Sequence, residues 1–147
     1  TLPDASGTVL LSNAITPTES APATPAAKTL YEDSIVKGWV VFDVTGAIDD
    51  DLNVSSITDN GIGDWTVNWA TAFGNINYCI SLSLQATIVF AGNSANGPFF
   101  LVDPANNPTT TTVRVNSKEV FNVPGEIRNA DPTGTRVRMY VLAIGNN

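Results

Sequence analysis

The chain has 147 residues, 14 of them acidic and 7 basic, giving a formal charge of −7, and it contains no histidine. A chain of this length is expected to fold as one domain that buries about 70% of the surface its unfolded form exposes, without needing a disulfide or metal staple. The acidic balance and the scattered basic residues argue against nucleic acid and anionic membranes as partners, and no apolar run approaches the roughly 20 residues of a spanning helix, so a soluble protein is expected.

In chain order, Thr1 reads as the start of a fragment or a processed piece, since neither an initiator methionine nor a signal segment opens the sequence. Residues 8–11 permit a short strand. Residues 13–27 are mostly Ser, Thr, Ala and Pro, with Pro17, Pro22 and Pro25 favouring extended backbone over a packed core, so this stretch is a linker or a draped arm. Ala27, Leu30, Tyr31 and Ile35 have helical spacing and predict one short helix. Residues 1–34 are therefore expected to form an extended Thr/Pro/Ala-rich N-terminal arm, and residues 35–147 the folded domain.

Within that domain the first main strand is predicted over 35–42. Residues 53–58 form a second strand, and Asp59-Asn60-Gly61 supplies the turn of a hairpin because these residues tolerate positive φ. Beyond the turn Trp65, Val67 and Trp69 share one side of a strand while Thr66 and Asn68 share the other, the period-two pattern of a sheet with one buried face. Further strands are predicted over 78–84, with Tyr78, Ile80, Leu82 and Leu84 on one side, and over 86–90, 111–115 and 136–144. The last is apolar on both sides from Met139 to Ile144, so it is expected to be a central strand buried on two faces, with a subunit interface as the alternative. Short strands punctuated by Gly, Pro and Asn predict an all-β domain, an antiparallel β-sandwich, jelly-roll-like.

Residues 37–43, Lys-Gly-Trp-Val-Val-Phe-Asp, the run 53–78 and the Asn77-Tyr78 pair together resemble a module of bacteriophage tail-fibre and minor tail proteins, over roughly residues 35–85. The chain departs from that pattern at Val44-Thr45-Gly46, where the family often has Gly-Thr-Gly, and at Trp65, where it has Tyr. The resemblance implies a non-catalytic virion component of a tailed phage, assembled in the bacterial cytoplasm. It would be a C-terminal, host-facing homotrimer that contacts other tail proteins and binds a bacterial surface glycan or an outer-membrane protein. A structural virion part, either a capsid decoration or a tail accessory protein without a ligand, is the alternative, and a glycan depolymerase stands third.

Without histidine, Ser-His-Asp and Cys-His nucleophiles and imidazole-bound zinc are unavailable. A glycosidase pair of carboxylates remains, with Asp43, Asp64, Asp103 or Asp131 as candidates, but Asp at strand ends is first a turn former. The single Cys79 cannot close an internal disulfide and reads as a packed thiol. Asp49-Asp50-Asp51 fails the calcium-loop pattern, which would need Gly at Val54 and Glu at Asn60, so a solvated acidic loop is expected, with Ca²⁺ held between subunits as the minority reading. No cofactor, catalytic residue or metal ligand is assigned. The tryptophans Trp39, Trp65 and Trp69 are assigned to the core. Ligand contact falls to two loops: Asn93, Asn96, Phe99 and Phe100 in the first, and Asp103, Asn106 and Asn107 in the second, where aromatic faces and amides lie together. The alternative for Phe99 and Phe100 is packing at the domain edge, and a third candidate loop, 129–134, reads as a plain turn.

Overall fold

The computed structural model describes residues 35–85, 94–121, 127–132 and 137–145. The arm, the short helix and the strand expected over 86–90 lie outside the described residues, Ile35 apart. Among those residues all regular structure is β. The strands are β1 (Val36–Phe42), β2 (Ile48–Leu52), β3 (Val54–Gly61), β4 (Asp64–Trp69), β5 (Cys79–Gln85), β6 (Ser94–Val102), β7 (Thr112–Phe121), β8 (Ile127–Asn129) and β9 (Arg138–Ile144). They form two antiparallel sheets, a first in the order β2-β1-β9-β5 and a second in the order β3-β4-β7-β6, with β8 pairing β7 past the end of β4.

The inner faces of the two sheets share one core. Val40 and Phe42 of β1 and Met139, Val141 and Ala143 of β9 come from the first sheet; Trp65, Val67 and Trp69 of β4 and Val113 and Val115 of β7 come from the second. The alternation of β4 thus holds as the sequence indicates. Phe42 and Trp65 meet edge to face across the core at 6.0 Å between centroids, a favoured geometry for aromatic pairs, and Trp65 Nε1 donates to the Val44 carbonyl at 3.1 Å. A second aromatic cluster stacks Phe73 on Tyr78 at 4.2 Å beside Trp69. Trp69 Nε1 donates to the Tyr78 hydroxyl, which has the Thr109 and Thr112 carbonyls at 2.9 and 3.0 Å to donate to in turn. Burial pushes the Tyr78 phenol above its ordinary pKa.

Two corners set this arrangement. Asn53 is the one residue between β2 and β3, which lie in different sheets, and it takes φ of 60°, left-handed backbone that Asn tolerates better than most side chains. Its side chain then fixes the corner, accepting from Thr71 N at 2.6 Å and donating to Thr71 O at 3.1 Å. Between β1 and β2, Asp43 Oδ1 accepts from Thr45 N, Thr45 Oγ1 and Ala47 N, an Asx turn that holds the hairpin closed.

Four expectations change. Trp39 is not a core residue: Gly38, Val40 and Phe42 take the inner positions of β1, so Trp39 and Val41 point outward and are half-buried. The last strand is buried on one face only, with Met139, Val141 and Ala143 inward and Arg138, Tyr140, Leu142 and Ile144 half-buried outside, although its central place between β1 and β5 is as expected. Cys79 is exposed, because Tyr78 and Ile80 take the inner side next to it. Asp49-Asp50-Asp51 forms no loop but most of β2, a fully exposed edge strand held to β1 by its backbone.

Candidate functional site

The outer face of the second sheet is polar, and the register of its strands explains how. Asp64, Thr66 and Asn68 alternate with the buried residues of β4, and they sit opposite Asn116, Arg114 and Thr112 of β7. Thr58 and Ser56 of β3 flank Thr66 and Asn68 on the other side. Directly opposed residues of an antiparallel pair share a face, so three strands present one continuous surface of hydroxyls, amides and charge.

Arg114 is its centre. Its guanidinium grips Asp64 in bidentate fashion, with Nε at 2.8 Å from Oδ1 and Nη2 at 2.5 Å from Oδ2, and Nε lies 3.5 Å from Asp103 Oδ2. Asp64 is nine-tenths buried while the arginine side chain keeps about a third of its surface in solvent. Hydrogen bonding to Asp64 raises the Arg114 pKa still further, so the charge is permanent. Asn60 Nδ2 donates to Asp64 Oδ1 at 3.3 Å and Thr66 Oγ1 at 2.9 Å, and Asn68 Nδ2 lies 3.1 Å from Ser56 Oγ and 3.0 Å from Thr58 Oγ1. The side chains are thus pre-oriented by one another before any ligand arrives.

The candidates named from the sequence fall as follows. Asn93 lies outside the described residues, and Asn96 belongs to β6, its side chain not described. Phe99 and Phe100 are strand residues rather than loop residues: Phe100 packs against the core, while Phe99 stands outward opposite Lys118 on the same polar face, 40% exposed. Asp103 is buried at the end of β6, accepting from Ala105 N at 3.0 Å and Asn106 Nδ2 at 2.7 Å. Those two bonds, chiefly the backbone one, hold its carboxyl below the usual carboxylate range, with Arg114 adding to them. Asn106 and Asn107 are exposed in the loop that follows. The structure therefore brings Asp103, and with it Asn106, beside Arg114, whereas Phe99 stands further along the same face, opposite Lys118 and beyond the end of β4. Arg114, Asn60, Thr66 and Asn68 were not singled out from sequence, although the polar half of the β4 alternation was the signal that would have found them.

As an acid–base pair the carboxylates are poorly placed. Asp43, chiefly through the Thr45 hydroxyl, and Asp103, chiefly through the Ala105 amide, are both held below the ordinary carboxylate pKa, the reverse of what a general acid needs. Asp64 is committed to Arg114, and Asp131 Oδ1 accepts from Gly63 N at 2.6 Å. What the face can do is offer fixed donors and acceptors, with the Phe99 ring further along it, to a ligand rich in hydroxyls. No protein-family model, curated protein or solved structure matches this chain.

Proposed function

We propose that the chain is a non-catalytic host-surface-binding module of a phage virion, part of a tail fibre or tail spike, which takes a bacterial surface glycan on the outer face of its second sheet. The observation that carries the reading is the preorganised Arg114, Asp64, Asn60, Thr66 and Asn68 network, on a face that also carries the outward ring of Phe99 further along β7. Sugars meet such surfaces by setting their C–H faces on an aromatic ring while hydroxyls bond to amides, carboxylates and guanidinium. The two-sheet order supports a β-sandwich of jelly-roll-like kind, in which the first and last described strands, β1 and β9, pair with each other. Three such domains in a homotrimer would convert a weak single-site affinity into firm adsorption through effective concentration.

The test replaces Phe99 and Asn107 with Ala, two outward residues whose loss spares the core. Adsorption of the labelled protein to a panel of bacterial cells, and its binding to purified surface polysaccharide, should fall at least tenfold with thermal stability kept. Unchanged binding to both would remove this face as the contact. The alternative, a structural virion part without a ligand, draws on the apolar strip on the outer face of the first sheet.

A further inference from the structure

The two outer faces of this molecule differ in kind. On the second sheet the solvent side is mostly Ser, Thr, Asn, Asp, Arg and Lys, with the ring of Phe99 exposed among them. On the first sheet the same side carries an apolar strip, bordered by Asp50, Arg138 and the Ser81, Ser83 and Gln85 column of β5. Leu52, Trp39 and Leu142 stand side by side across β2, β1 and β9, and Val41 and Tyr140 form the next row. Ile144 extends the strip toward the end of β9. Leu52 is 46% exposed and the others are half-buried, so a tryptophan, a tyrosine and four aliphatic side chains make one contiguous surface facing out. Contiguous apolar surface of this kind on a folded domain marks an interaction site.

We propose that this face is where a second copy of the same chain docks. The chemistry at its centre is aliphatic, which suits a protein surface and offers little to a sugar's hydroxyls. Its margin along β2 carries Asp50, opposite Val41, and Asp49, which is ion-paired with Arg138 of β9. The margins also fit a copy of this chain. The acidic side is β2 and the opposite side is β5, where Ser81 and Ser83 face outward opposite Leu142 and Tyr140. Any closed arrangement whose symmetry axis runs along the strands sets the β2 margin of one copy against the β5 margin of the next. Asp50 then meets neutral hydroxyls and not another Asp50, so no like charges are buried together.

The area fits a weak association. Four strands at about 4.8 Å spacing and seven residues at about 3.4 Å rise give a face of roughly 450 Å². Covered in full on both partners, polar β5 column included, that is roughly 900 Å², below the approximately 1,000 Å² at which stable specific interfaces begin and in the range of weak contacts. A contact of this size is weak, which suits copies held together in one particle, where effective concentration is high. In a homotrimer each such face would be shared between two neighbours, and the proposal rests on that reading for the copy number alone.

The experiment is light scattering of the full chain over a concentration series, with three variants beside it. The parent chain should rise from the mass of one chain to a defined multiple. Leu52→Glu, at an exposed edge position, and Leu142→Lys, in the middle of the strip, should each weaken association at least tenfold while circular dichroism and thermal melting stay as in the parent. Ser83→Lys, set beside the acidic margin of the neighbour, should tighten it several-fold, an effect that misfolding cannot imitate. A single-chain mass at every concentration, or a multiple indifferent to all three variants, would overturn the proposal. Polysaccharide binding per chain, measured on the dissociated variants, reads the second sheet separately, so failure of one reading does not pass for failure of the other.

Discussion

Asp43 shows how a single carboxylate can close a hairpin. The Thr45 hydroxyl, joined by the Thr45 and Ala47 amides, stabilises its ionised form and holds its pKa below the ordinary value; Asp103 is lowered in the same sense by Ala105 N and Asn106. A pKa lowered on folding means that the unfolded chain takes up the proton first. The stabilising contribution is therefore complete above the unfolded value near ~3.9 and is lost as pH falls through the folded one. Urea midpoints should stay level, as far as these two groups decide them, from neutrality down to about pH 5 and fall steeply below about pH 4. Asp43→Asn, which keeps an acceptor oxygen but has no charge to lose, should lower stability at neutral pH by roughly 1 kcal/mol and shallow the acid limb. An acid limb unchanged in that variant would mean that other carboxylates dominate. That Asp43 is a turn former was legible from its position at a strand end. The Arg114 pairing was not, because its partner Asp64 lies 50 residues away and nothing local announces the contact.

Among the elements, legibility followed the purity of the alternation. β4 has large apolar residues on one side and polar ones on the other, so both the strand and its buried face could be read. β1 and β9 are apolar on both sides, and for them the sequence indicated a strand but not which face is inward; Trp39 was misplaced for that reason. β6 was read as loops because Asn96-Gly97-Pro98 breaks the pattern, yet its register against β7 shifts between Asn96 and Phe99, an irregularity that accommodates the proline inside a paired strand. β2 has three consecutive Asp residues, poor strand formers, and only pairing with β1 makes it one. The junction of the β3–β4 turn with the segment after β8 is equally invisible in sequence. Gly63 takes φ of +62°, and a Cβ there would lie 2.6 Å from both Ala130 N and Ser117 O, the two atoms of a backbone hydrogen bond. Gly63→Ala should therefore cost at least 2 to 3 kcal/mol, since the left-handed backbone alone costs roughly 1 to 2 kcal/mol and the clash is with main chain that cannot step aside. A thermal melt within a degree or two of the parent would show that this junction yields more easily than its geometry indicates.

At the scale of the whole molecule the sequence conveyed an all-β chain with one core, but not the asymmetry of its two outer faces, which register alone creates. One consequence is optical. Of the three tryptophans, Trp65 is fully buried and Trp69 is 5% exposed, whereas Trp39 lies half-buried on the apolar strip of the first sheet. In dilute solution a neutral quencher such as acrylamide should reach one emitting component and spare the other two, and Trp39→Phe should abolish that accessible component without altering the spectrum of the rest. Raising the protein concentration should then protect the accessible component in the parent, to the degree that a second copy covers the strip, and should not protect it in Leu142→Lys. An accessible component that survives Trp39→Phe would place the exposed ring elsewhere and contradict the register of β1 itself. Loss of protection in Leu142→Lys, with the dilute spectrum of the parent retained, would tie the shielding to contact between copies rather than to a change inside the fold.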